Sequence, residues 1–148
     1  ISRMIKLKDI LNELVKEKPV DEILYHGTDG NFNVKNINLP AHFGTQAAAE
    51  DIGGSKLLKA RIKMKNPVRM YDDQVQVWDL DTVGGTLQND LKISEDDIDK
   101  YYDQHGAEEG LIQLLKSLGY DGIVYENKYE DIGSESYIVI DRNTIQPA

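Results

Sequence analysis

Residues 58–64 alternate strictly. Leu58, Ala60, Ile62 and Met64 fall on one side of an extended chain, and Lys59, Arg61 and Lys63 fall on the other. A run of this kind is a half-buried strand. It cannot stand alone, because its apolar side needs a second layer and its backbone needs partner strands. Whatever else the chain does, it must therefore build a sheet with one covered face. Asn66-Pro67 breaks the run, since proline has no N–H to give a ladder, and residues 68–70 resume it.

Other segments supply the partners. Residues 22–26, Glu-Ile-Leu-Tyr-His, read as a short strand stopped by Gly27. A loop rich in Asn and Gly covers residues 29–39. Residues 42–45, His-Phe-Gly-Thr, read as a second short strand, with Thr45 capping a helix over residues 46–52 that Gly53-Gly54 stops. Residues 6–18 carry Ile10, Leu11, Leu14 and Val15 at helical spacing and end at Pro19, which predicts a helix that covers the domain, the first choice, or docks a partner. Residues 71–92 show no clear period and read as an irregular insert anchored by Trp78. Ser94 followed by Glu95, Asp96 and Asp97 starts a helix reaching about Gln104, with an oxygen cap and acids at its positive end. A second helix covers residues 107–118, where Leu111, Ile112, Leu114, Leu115 and Leu118 form a broad apolar face and Gly119 ends it. Strands follow at 123–126 and 137–140, and Asn143, Thr144 and Ile145 end the domain. Short strands, then helices, then two late strands suit an α+β fold better than a βαβ alternation.

The totals narrow the function. At 148 residues the chain is the size of one domain and can bury a core without disulfide or metal. Residues 1–21 read as an N-terminal helical extension and 22–148 as the domain proper. Met4 reads as a native start, with residues 1–3 as a tag remnant or the edge of a longer polypeptide. There is no cysteine, which excludes disulfides, thiolate metal sites and cysteine nucleophiles and suits a reducing compartment. No apolar run reaches the ~18 residues of a membrane span. The net charge of −9, from 26 acidic and 17 basic side chains, argues against a nucleic-acid-binding surface and favours basic partners.

Three constellations could carry chemistry. Tyr25-His26-Gly27-Thr28 sets an imidazole, a backbone open to close approach and a hydroxyl at one strand end. His42-Phe43-Gly44-Thr45, followed by three alanines, can shape a flat slot, or can simply be core. Gly119-Tyr120-Asp121-Gly122 leads through Glu126 and Glu130 to Glu135-Ser136-Tyr137, placing carboxylates at loop-to-strand junctions, where they can stabilise a cation or activate a hydroxyl. His105 reads as surface, and His42 points opposite to Phe43, at a cleft rim.

Taken in order, these motifs, with Lys65-Asn66-Pro67-Val68 and Ser136-Tyr137-Ile138-Val139-Ile140-Asp141, resemble the ADP-ribosyltransferase-like domains of phage and mobile-element polyvalent proteins. Those domains are relatives of the poly-ADP-ribose polymerase and diphtheria-toxin branch. The resemblance runs over residues 22–148 and is weakest in the 71–92 insert. It implies an ADP-ribosyltransferase fold: a split, twisted β-sandwich with flanking helices, holding NAD in a cleft between two small sheets.

The resemblance also implies roles. His26 hydrogen-bonds the adenosine ribose, and the Gly27 backbone holds the nicotinamide amide, with Thr28 beside it. Phe43, Gly44 and Thr45 match the second motif, and with Ser136 they complete the cofactor-binding set. The family's Tyr that stacks on nicotinamide has no counterpart, because residues 46–70 contain no aromatic; Phe43 or Tyr71 would substitute. The family's catalytic Glu directly precedes the Tyr-Ile-Val strand, where this chain has Ser136, and Glu135 lies one earlier. A one-residue offset reverses the side a strand residue faces. Either a bulge returns Glu135 to the cleft, or Glu130 or Glu126 reaches in from the loop, or catalysis is lost. Glu135 is the first choice and Glu130 the second.

The implied activity is mono-ADP-ribosylation of a macromolecular target, for instance a basic protein, with NAD as substrate, nicotinamide as leaving group and no metal. Nothing indicates an acceptor site for chain elongation. The alternatives are an NAD glycohydrolase and a degenerate fold acting as an acidic interaction or inhibitor module. The implied compartment is the cytoplasm, a host cell's where such a domain is phage-encoded.

Overall fold

The computed structural model describes residues 19–30, 33–52, 54, 56–70, 78–126 and 133–148. The helix expected at 6–18, Tyr71 and Glu130 lie outside them. Within them the protein is mixed α+β, with two sheets and four α-helices. The order is β1 (Val20–Thr28), β2 (Ala41–Phe43), α1 (Gln46–Ile52), β3 (Lys56–Met64), β4 (Val68–Met70), α2 (Leu80–Asp90), α3 (Glu95–His105), α4 (Ala107–Ser117), β5 (Gly122–Glu126), β6 (Glu135–Val139) and β7 (Ile145–Pro147). A 3-10 turn, Arg142–Thr144, precedes β7.

The alternating run becomes the centre of the first sheet, ordered β1-β3-β7. β1 pairs with β3 along its whole length, from Val20 opposite Met64 to Thr28 opposite Lys56. Gly27 therefore does not stop β1, as the sequence reading expected. It pairs with Leu57, and the strand runs on through Thr28. The final strand was not expected either. Ile145 pairs with Ile62 and gives β3 its second neighbour.

The second sheet is ordered β2-β6-β5-β4. Its β6 separates two cores by strand parity. Tyr137 and Val139 face the first sheet and join Leu24, Phe43, Ile62 and Met64. Ile138 and Ile140 face the helices and join Leu87, Leu111, Leu115 and Trp78. Every β6 residue from Ser136 to Val139 is buried, which is why that strand reads as a continuous apolar run.

Half of the segment read as an irregular insert is helix α2. Asp79 accepts from the Thr82 backbone N–H at 2.9 Å, and the Thr82 hydroxyl accepts in return from the Asp79 N–H at 3.3 Å, a reciprocal capping box. Trp78, just before it, is buried with its ring 4.8 Å from that of Tyr125, so the anchor role expected of it is met. Thr45 and Ser94 cap α1 and α3, accepting from Ala48 and Asp97 N–H groups, each at 3.1 Å.

Two quoted motifs meet each other in a clamp. The Asp121 carboxylate accepts from the Lys65 and Asn66 backbone N–H groups at 2.7 and 3.0 Å, and the Asn66 side chain donates to the Gly119 carbonyl at 2.9 Å. This tie sets β4 beside β5, the one parallel pair among the described strands. Asp121 is thus occupied with the turn. Asp121→Ala should cost about 1–2 kcal/mol by orphaning two N–H donors, read as a lower urea midpoint with an unchanged m-value.

Candidate active site between the two sheets

A backbone bridge joins the sheets within β1, at Tyr25. Tyr25 and Gly44 exchange two backbone hydrogen bonds, each 2.9 Å, and form a bridge between the first sheet and the end of β2. Toward the start of β1 residues of both sheets line a groove. A cavity of about 390 Å³ opens there, lined by Val20, Glu22, Leu24, Thr45, Arg69, Glu135 and Tyr137. A smaller one of about 140 Å³ adjoins it, sharing Arg69 and Glu135 and reaching Glu126 and Tyr125.

Strand parity decides which way Glu135 faces. β5 and β6 keep an unbroken register from Gly122 opposite Val139 to Glu126 opposite Glu135, so that pair contains no bulge. Glu135 is two residues before Tyr137 and shares its face, the face that looks across at β1. Ser136 is the residue turned away. It is buried on the helical side, its hydroxyl close behind Gly44. The structure does not bring Ser136 and Glu135 into one wall.

Glu135 does not stand alone. Its carboxylate lies 3.5 Å from the Arg69 guanidinium. The Tyr137 hydroxyl lies 3.4 Å from it and donates to Glu22 at 3.2 Å. Burial, then the negative charges of Glu22 and Glu135, hold the Tyr137 phenol well above its ordinary pKa, and the Arg69 charge opposes them. Tyr137 therefore stays a neutral hydroxyl. Glu22, read from sequence only as the first residue of a strand, belongs to the site. Its signal was its parity with Leu24, hidden because a Glu on an apolar face reads as a strand end.

The His-Gly-Thr end lies beyond the contact point. The His26 Nδ1 donates to the His42 carbonyl at 2.6 Å. This fixes the neutral ring's proton on Nδ1 and makes Nε2 its acceptor. The ring packs 5.4 Å from that of Phe43. Phe43 is only 1% exposed, so its ring serves the core between the sheets and not the cavity. The Thr28 hydroxyl accepts from the Gly30 N–H at 3.1 Å. Gly54 presses on the same place. A Cβ there would sit 2.9 Å from the Thr28 backbone, and φ is +104°, so glycine is needed on both counts. Thr45 lines the cavity while capping α1. His26 and Glu135 thus belong to one interface between sheets but make no direct contact.

His42 is not at a cleft rim. It is on the helical side of β2, with its Nδ1 3.3 Å from the Tyr125 hydroxyl. Burial, and then the neighbouring His26 charge, lower its pKa from 6.5 to about 4. The folded protein therefore binds this proton less readily than the unfolded chain. Stability should be full above pH 6.5 and fall as pH drops towards 4, by roughly 3 kcal/mol from this group. His42→Phe should flatten that part of a denaturation-versus-pH curve. His105, by contrast, is exposed beside Tyr101, as expected.

Among the described residues no group of three His, Cys, Asp or Glu is placed to hold a metal ion, and no helix is long and apolar enough to cross a membrane. No family model matches the chain, and no curated protein and no solved structure matches it.

Proposed function

We propose that the protein is an ADP-ribosyltransferase-like enzyme that binds NAD between its two sheets, releases nicotinamide and transfers ADP-ribose to a macromolecular target. The observation that carries this reading is the position of Glu135: a carboxylate on the inner face of β6, lining a cavity whose opposite wall is the first part of β1, Val20, Glu22 and Leu24, the strand whose other end is His26-Gly27-Thr28. Two small sheets bridged at Tyr25 and Gly44 are compatible with the split sandwich the resemblance implies.

The chemistry follows from charge. The nicotinamide nitrogen of NAD is cationic and leaves neutral, taking the bonding pair and leaving positive charge on the ribose. A carboxylate beside that carbon lowers the barrier by facing charge where it develops. In its neutral form the His26 ring, with Nδ1 donating to the His42 carbonyl, offers Nε2 as an acceptor for a ribose hydroxyl, and the acid-rich chain would steer a basic target.

Labelled NAD tests the reading. Wild type, Glu135→Gln and His26→Ala are incubated with and without host lysate. Labelled protein bands in the wild-type lanes alone support transfer, and free ADP-ribose alone points to hydrolysis. No turnover together with no NAD-induced thermal shift would reject both.

A further inference from the structure

Two carboxylates, one from each sheet, line the cavity. Glu22 on β1 and Glu135 on β6 both lie within hydrogen-bond reach of one phenol oxygen, that of Tyr137. Their oxygens are therefore no farther apart than the two contacts laid end to end, under about 7 Å, so they do not exceed the roughly 9 Å upper limit for paired carboxylates across a glycosidic bond. The phenol has one proton, and the shorter contact assigns it to Glu22. The Arg69 guanidinium lies on the Glu135 side. The two acids are both exposed at the cavity but differ in partners: Glu135 is flanked by the Arg69 cation, whereas Glu22 takes the hydrogen bond of the Tyr137 phenol.

Cleavage of NAD at the ribose is a glycosyl transfer, and it needs two services. One is a negative charge facing the ribose carbon. The other is a base for the proton of the attacking oxygen. Glu135 supplies the first in the reading above, on which this inference rests. We propose that Glu22 supplies the second, as a catalytic general base taking the proton of an attacking water or target hydroxyl. The C1–N bond breaks, and its electron pair leaves with nicotinamide. The O–C1 bond forms, and the oxygen's proton passes to the Glu22 carboxylate and from there to solvent. Glu126 is a poorer candidate, because it lies beside Glu135 on the same sheet and not across from it.

An anionic nucleophile needs no base, which provides the test. Nicotinamide release from NAD is measured for wild type, Glu22→Gln and Glu135→Gln, with and without sodium azide, and products are identified by mass. Glutamine still accepts from the Tyr137 hydroxyl, so the thermal midpoint of Glu22→Gln should stay near wild type. Its rate should fall about 100-fold, the low end for a lost general base. Azide should restore it, with ADP-ribosyl azide as the product, and should not rescue Glu135→Gln. A Glu22→Gln rate equal to wild type, or a fall that azide leaves unrescued, overturns the role of Glu22 while leaving the NAD reading intact. No nicotinamide release by wild type rejects the NAD reading itself, and this inference with it.

Discussion

Glu135→Gln should reduce nicotinamide release from NAD by at least about 100-fold, the scale lost when one preorganised electrostatic partner of a transition state is removed. The substitution keeps shape and hydrogen-bonding reach and deletes only charge. Glu135 is exposed, and its ion pair with Arg69 is 3.5 Å long, so the fold should barely register the change. The diagnostic pattern is a fall in kcat with an unchanged thermal midpoint. NAD affinity should change little, because the carboxylate acts on charge that is fully present only as the bond breaks. A comparable fall in Ser136→Ala, with Glu135→Gln active, would reverse the assignment of faces and contradict the register of β5 and β6.

The largest effect on stability should come from Phe43→Ala. Phe43 is 1% exposed, pairs with Tyr137 in the sheet and packs against the His26 ring. Truncation removes that burial and leaves a void between two sheets that a short edge strand cannot close. A loss of about 3–5 kcal/mol is expected, enough to unfold much of a marginally stable domain. Chemical denaturation should show it as a lower midpoint with a similar m-value. Phe43→Leu should recover much of the loss. If Phe43 instead held the nicotinamide ring, Phe43→Ala would weaken NAD binding and leave the midpoint near wild type.

Much of the architecture was legible because it was written in period. The alternation at residues 58–64 became β3, and the leucines of 107–118 became α4. Caps at Thr45 and Ser94 were readable since a hydroxyl at a helix start has a local partner. What escaped notice depends on distant partners. β7 is three residues long and shows no alternation; it is a strand because β3 has an open edge there. α2 carries Gly84 and Gly85, which weaken a helix reading, and tertiary packing of Val83 and Leu87 overrides them.

The site divides in the same way. The inward face of Glu135 follows from its i, i+2 relation to Tyr137, a relation already present in the sequence. A bulge is required only if the carboxylate must occupy the position of Ser136. Glu22 could not be found so, because its significance lies in Tyr137, 115 residues away along the chain. Asp121 had the look of a functional acid and is a clamp, since a carboxylate beside a Gly-rich turn satisfies backbone donors equally well.

In the proposed function NAD lies between the sheets, with its nicotinamide ribose among Glu135, Glu22 and Tyr137. A crystal structure of the protein with a hydrolysis-resistant carba analogue of NAD measures this directly. The analogue should occupy the inter-sheet cavity, its sugar hydroxyls within hydrogen-bond reach of Glu135 and its adenosine end toward His26. An analogue bound elsewhere, or a cavity that stays empty at millimolar analogue, would contradict it.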